Sequence, residues 1–168
     1  MPENLKKIPT RPMEPQLPDA KGVYALILHL PTFQRLEIGR LGTFDFPPGY
    51  YAYIGSASGP GGLRARINYH LEADHTHPHW HIDYLTAYAR PIEVWYALGS
   101  RRLESDWVDL FEADKGWRLW IPRFGASDYR RPRRSHLFYR RRPPSFDAFC
   151  HHHRRHLQPD IIPHRLVL

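Results

Sequence analysis

Between Lys21 and Leu71 two apolar runs are separated by tight-turn residues, and the hydrophobic period then changes from strand-like to helical. That order restricts the fold more than any other feature of the chain. Lys21–Leu30 (KGVYALILHL) is an apolar run that starts after a turn signal and reads as a strand. Phe33–Phe46 reads as a second extended stretch with a turn near Gly39–Gly42, and Pro47-Pro48-Gly49 is a tight turn. Tyr50–Ile54 (YYAYI) is a strand rich in aromatic residues. Gly55–Gly62 (GSASGPGG) reads as a loop. From Leu63 onward, Leu63, Ile67 and Leu71 recur at the spacing of one helix face. Arg66 and His70 are also one turn apart and share a different face.

The rest of the chain supplies fewer signals. Trp80–Tyr88 fits a strand or a helix. Pro91–Leu98 alternates like a strand, and Leu103–Ala113 places Leu103, Trp107, Leu110 and Phe111 at helical spacing, ended by Gly116. A short strand is expected over Trp117–Ile121. Residues 1–20 hold five prolines and read as an extended arm, and residues 143–168, rich in Pro, His and Arg, as a loosely packed tail. Residues 21–142 are then one domain of α/β (α+β) class: a small, mostly antiparallel sheet flanked by helices, with an added hairpin.

Charge is unevenly placed. Residues 1–120 carry 13 Lys+Arg against 14 Asp+Glu, whereas residues 121–168 carry 11 Arg against 3 Asp. The net charge of +7 therefore belongs to the C-terminal segment. Such a block suits a polyanion, because phosphate contacts release counterions. Arg130, Arg131, Arg133 and Arg134 precede Arg140, Arg141 and Arg142, and if the stretch between them is a strand, the two groups straddle a nucleic-acid backbone. Arg64 is a further candidate contact. The single cysteine, Cys150, excludes an intramolecular disulfide and a cysteine-based zinc finger. No apolar run approaches the roughly 20 residues of a membrane helix, and Met1–Thr10 lacks the apolar core of a signal peptide. A cytoplasmic location without membrane association is expected, nucleoid-associated in a prokaryote.

Gly22-Val23-Tyr24 opens the first strand, Tyr53-Ile54-Gly55 closes a later one, and a glycine-bearing loop and a helix with Arg66 and His70 follow. This order resembles the GIY-YIG nuclease superfamily, in which two antiparallel strands present two tyrosines beside an arginine-bearing helix. The longer stretches GYYAYIGSASGPGGLRARI, HWHIDYL, RFGASD and SHLFY look like its DUF123 branch, domains sometimes attached to DNA-repair glycosylases. The chain departs from the pattern twice. The tyrosines are separated by 28 residues, longer than in the compact members, and Tyr129 follows Ser127-Asp128 where the branch usually carries cysteines.

The resemblance implies metal-dependent hydrolysis of nucleic-acid phosphodiesters, DNA foremost, in repair or processing. Such a reaction needs a base, a cation near the phosphate and usually a metal. By resemblance Tyr24 is the base beside the attacking water, and Tyr53 stands with it. A free phenol titrates at about pH 10, so positive charge must assist it. Arg66 is placed to supply that charge and to grip a phosphate, and His70 to shuttle a proton. Glu104 occupies the place of the superfamily's metal-binding glutamate and is the expected ligand of one Mg²⁺ or Mn²⁺ ion. Gly55 and Ser56 are expected in the wall of the site. The competing function is a catalytically silent nucleic-acid-binding module of the same fold.

His75, His77, His79 and His81 alternate, so in an extended chain all four project to one side and suggest a zinc or nickel site. Pro78 interrupts a regular strand there. A His-rich metal-binding protein is accordingly a third function class, set below a structural role for these histidines.

Overall fold

A computed structural model describes residues 16–72, 76–126 and 134–168. The chain forms β1 (Gly22–Leu30), a hairpin of β2 (Gln34–Ile38) and β3 (Gly42–Phe46), β4 (Gly49–Ala57), α1 (Gly62–Leu71), α2 (His81–Thr86) and β5 (Arg90–Leu98). It continues through α3 (Arg102–Ala113), β6 (Arg118–Leu119), β7 (Leu137–Arg140), α4 (Phe146–His156) and β8 (His164–Val167). Six strands form one antiparallel sheet in the order β6-β7-β4-β1-β5-β8. The expected α+β architecture is thus present, and the added hairpin forms a separate two-stranded sheet.

β1 is the centre of the molecule, and its alternation shows why. Tyr24, Leu26, Leu28 and Leu30 point to one face, Val23, Ala25 and Ile27 to the other, and all are buried. The first face meets Leu63 and Ile67 of α1, Ile82 and Leu85 of α2, and Leu36, Ile38 and Phe46 of the hairpin. The second meets Leu103, Trp107 and Phe111 of α3 and Phe149 of α4. Both faces of an antiparallel sheet are covered, so its central strands read as continuous apolar runs rather than as alternating ones.

Two local expectations change. Gly55, Ser56 and Ala57 are not loop: β4 runs through them, paired with Tyr24, Val23 and Gly22 of β1. Residues 143–168 are not a loose tail. Ser145 caps α4 by accepting from the backbone N–H of Ala148 at 3.2 Å, and Asp147 complements the helix N-terminus. The helix buries Phe149 and His153, and β8 extends the sheet beside β5.

The N-terminal arm falls mostly outside the described residues, but Gln16–Ala20 has a clear role. α1 has no side-chain cap. Its orphan N–H groups at Leu63 and Arg64 are satisfied instead by the carbonyls of Ala20 (2.9 Å) and Pro18 (3.2 Å). Arg64, expected at nucleic acid, donates through Nε to the Leu17 carbonyl at 3.0 Å and ties this segment to the helix.

Candidate active-site cleft

The register of β1 and β4 sets Tyr24 directly opposite Gly55, and Tyr53 opposite Leu26. A Cβ at residue 55 would overlap the Tyr24 hydroxyl, so glycine is what lets the phenol lie across β4. One turn of α1 places Arg66 and His70 above the same strands. The Tyr24 Oη lies 2.7 Å from His70 Nε2, and the Tyr53 ring meets the His70 ring edge-on at 5.9 Å. α3 crosses from the other side and brings Glu104 from its first turn. Tyr24, Tyr53, Gly55, Ser56, Arg66, His70 and Glu104 all border one cleft of about 150 Å³. The residues named from sequence as catalytic or as site wall are therefore brought together from two strands and two helices.

Besides Ile54, four further residues border the cleft and were not singled out as site residues: Trp80, Arg101, Gly125 and His136. Three of them come from motifs that carried the resemblance without a role: Trp80 from HWHIDYL, Gly125 from RFGASD and His136 from SHLFY. The Arg66 guanidinium carbon sits 5.1 Å from the Trp80 ring centroid, a cation–π contact that restricts a long side chain. Gly125 has φ 67° and its Cα faces the Tyr53 ring, where a Cβ would come within 2.8 Å of Tyr53 Cε2. The His136 Nδ1–H donates to the Ile54 carbonyl at 3.1 Å, and Glu104 Oε1 lies 3.3 Å from the same nitrogen as an ion-pair contact. Burial holds His136 below the usual imidazole range, opposed by Glu104 and the Ile54 carbonyl.

The electrostatics of Tyr24 differ from the expectation. Burial pushes its phenol well above the usual range, Tyr53 adds to this, and Arg66 only partly opposes them. Tyr24 is 2% exposed. Arg66 therefore does not generate a resting phenolate; Tyr24 rests as a neutral hydroxyl against His70. Burial raises Tyr53 likewise.

Of the arginines expected to straddle a backbone, Arg134, Arg140, Arg141 and Arg142 lie among the described residues. Arg130, Arg131 and Arg133 lie outside the described residues. Arg134 is held within the fold: its guanidinium pairs with Asp109 at 3.0 Å and donates to the Ser105 carbonyl (3.0 Å) and hydroxyl (2.9 Å). Arg140 packs over Trp117 at 5.2 Å, while Arg141 and Arg142 are exposed. β7, between the two groups, lies inside the sheet between β6 and β4.

A family model described as "Domain of unknown function DUF123" matches residues 23–158. The chain belongs to the DUF123 family. No curated protein and no solved structure matches it. The DUF123 match spans α4 as well as the cleft, in keeping with the packing of that helix on the sheet.

Among the alternating histidines of this DUF123 chain, His77, His79 and His81 have separate contacts. His75 lies outside the described residues. His77 Nδ1 is 2.9 Å from the Thr76 hydroxyl, and His79 meets Trp80 edge-on. His81 opens α2, and its Nδ1 accepts from the Gly125 N–H at 2.9 Å, which fixes the turn beneath Tyr53. Among the described residues no three His, Cys, Asp or Glu side chains converge as a ready-made metal cage. Among them, too, no helix is long and apolar enough to cross a membrane.

Proposed function

We propose that the cleft hydrolyses nucleic-acid phosphodiesters and that this DUF123 chain is a nuclease of the GIY-YIG superfamily, with DNA as its first substrate class. One observation carries the reading: a tyrosine–histidine hydrogen bond of 2.7 Å borders a small cleft that also holds an arginine and a carboxylate. Base, cation and hard oxygen ligand are the parts that phosphodiester hydrolysis needs.

The neutral state of Tyr24 determines how the proton moves. As a water attacks phosphorus, the Tyr24 oxygen takes the water's proton while the Tyr24 hydroxyl passes its own to His70 Nε2. The water oxygen bonds to phosphorus, and the breaking P–O bond leaves its electron pair on the departing oxygen. Tyr24 never carries full charge in its buried setting, so the raised phenol range is no obstacle. Arg66, steadied by Trp80, faces the charge that develops on the phosphoryl oxygens. Arg101 adds a second cation at the rim.

Glu104 fits a magnesium-type ion. Its side chain is 21% exposed, and its Oε1 lies 3.3 Å from His136 Nδ1. A single fixed carboxylate is the donor set of an ion that keeps most of its waters and takes its other ligands from phosphate. When bound, Mg²⁺ or Mn²⁺ supplies positive charge to the phosphate oxygens as a Lewis acid.

The burial of Tyr24 is also the observation that favours the second reading, a silent nucleic-acid-binding module. Incubation with labelled DNA and RNA of defined structure, with Mg²⁺, with Mn²⁺ and with chelator, separates the two. The nuclease reading expects metal-dependent cleavage that Tyr24→Phe abolishes. Binding without cleavage under every condition replaces it with the binding module.

A further inference from the structure

Proton transfer from Tyr24 to His70 leaves one buried charge beside the site without a role. Asp83, on α2, is 1% exposed. Its Oδ2 accepts from the backbone N–H groups of His79 (2.9 Å) and Trp80 (2.8 Å) at the start of that helix. Its Oδ1 faces His70 Nδ1 at 3.9 Å, and both side chains are 2% exposed. Burial would raise the Asp83 carboxyl, but His70 and the two backbone N–H groups outweigh it and hold the carboxyl below its usual range.

A neutral imidazole carries one N–H and one lone pair, and what each nitrogen faces decides which is which. His70 Nδ1 has no hydrogen-bond partner among the described residues. The charge in front of it is the Asp83 carboxylate, which can only accept. A lone pair on Nδ1 would be repelled by that oxygen, whereas an N–H is attracted, and burial strengthens the preference. At 3.9 Å the contact is an ion-pair approach rather than a hydrogen bond, so it orients by charge.

We propose that Asp83 is a positioning residue that fixes His70 as its Nδ1–H tautomer and thereby leaves Nε2 as the acceptor for the Tyr24 hydroxyl. The phenolic proton then has one direction to go. Once His70 Nε2 has taken it, the imidazolium is stabilised through Nδ1–H by a carboxylate that α2 holds in place. The catalytic consequence rests on the nuclease reading; the tautomer does not.

Long-range ¹H–¹⁵N correlation on labelled full-length protein, without substrate, reads the tautomer. Wild type should show His70 protonated at Nδ1 and unprotonated at Nε2. Asp83→Asn keeps an oxygen for the His79 and Trp80 N–H groups but turns an amide N–H towards Nδ1. It should therefore reverse the tautomer, and cleavage should fall by roughly 10³–10⁴-fold with substrate binding retained. A wild-type His70 protonated at Nε2 overturns the proposal, as does an Asp83→Asn protein with unchanged tautomer and rate. If Asp83→Asn does not fold, the wild-type tautomer alone decides. The expected tautomer in a protein that cleaves nothing supports the positioning role and overturns the nuclease reading. The opposite tautomer in a protein that cleaves does the reverse.

Discussion

Gly55 lies directly across the β1–β4 pair from Tyr24, and the phenol occupies the space that any side chain at residue 55 would need. Gly55→Ala should therefore displace the Tyr24 ring and lengthen its 2.7 Å bond to His70. Overpacking of this kind costs about 1–3 kcal/mol. Thermal unfolding should move down by that amount, and cleavage should be lost more completely than stability. Wild-type activity in the Gly55→Ala protein would show that the ring position is not what the site requires.

Arg134 and the exposed pair Arg141 and Arg142 should behave differently although all three carry the same charge. Arg134 binds Asp109 and Ser105, so Arg134→Ala should destabilise the fold by about 1–3 kcal/mol as charge-assisted hydrogen bonds are lost. Arg141→Ala with Arg142→Ala should leave the melting temperature within a degree or so and weaken nucleic-acid binding, with a shallower salt slope. Titrations at several salt concentrations, beside melting curves, check both. Equal stability effects from the two replacements would contradict the assignment.

Acid should unfold the protein through buried histidines. His153 is fully buried against Trp107 and Phe149 with no hydrogen-bond partner among the described residues, and burial lowers its range; burial lowers His81 as well. A histidine whose folded range is depressed binds its proton more readily when unfolded. Stability is thus full above the ordinary imidazole range at about pH 6.5 and declines as pH falls below it. His153→Leu keeps an apolar group of similar size and should flatten part of that decline. A melting temperature for the His153→Leu protein that falls as steeply as wild type between neutral pH and roughly pH 5 would exclude His153 as a contributor.

Chelation should leave folding intact. His77, His79 and His81 have separate partners, and two apolar cores cover both faces of the sheet. The expected melting curve with chelator overlays the one without it. A large drop, restored by Zn²⁺, would point to a structural metal at the histidine run.

Much of the site was legible because its spacing is local. Tyr24 and Tyr53 are each three-residue signals on strands, and Arg66 and His70 are one helical turn apart. Glu104 followed from the resemblance alone. What stayed hidden depends on register and on contacts between distant segments. Gly55 and Ser56 look like loop residues until the pairing with β1 is known. Arg101, Gly125 and His136 reach the cleft from elements with no periodic signal linking them to Tyr24. The C-terminal helix did leave a signal: Phe146, Phe149, Cys150 and His153 recur at helical spacing behind the Ser145 cap. The prolines, arginines and histidines around them obscured it.

Glu104→Gln tests the nuclease reading most directly. The replacement keeps size and its place beside His136, but the charge that would hold the metal is gone. Cleavage of a labelled DNA substrate in Mg²⁺ should be abolished, with binding of the same DNA within about twofold of wild type and the melting temperature unchanged. Cleavage by Glu104→Gln at the wild-type rate would contradict a metal-dependent reaction at this cleft.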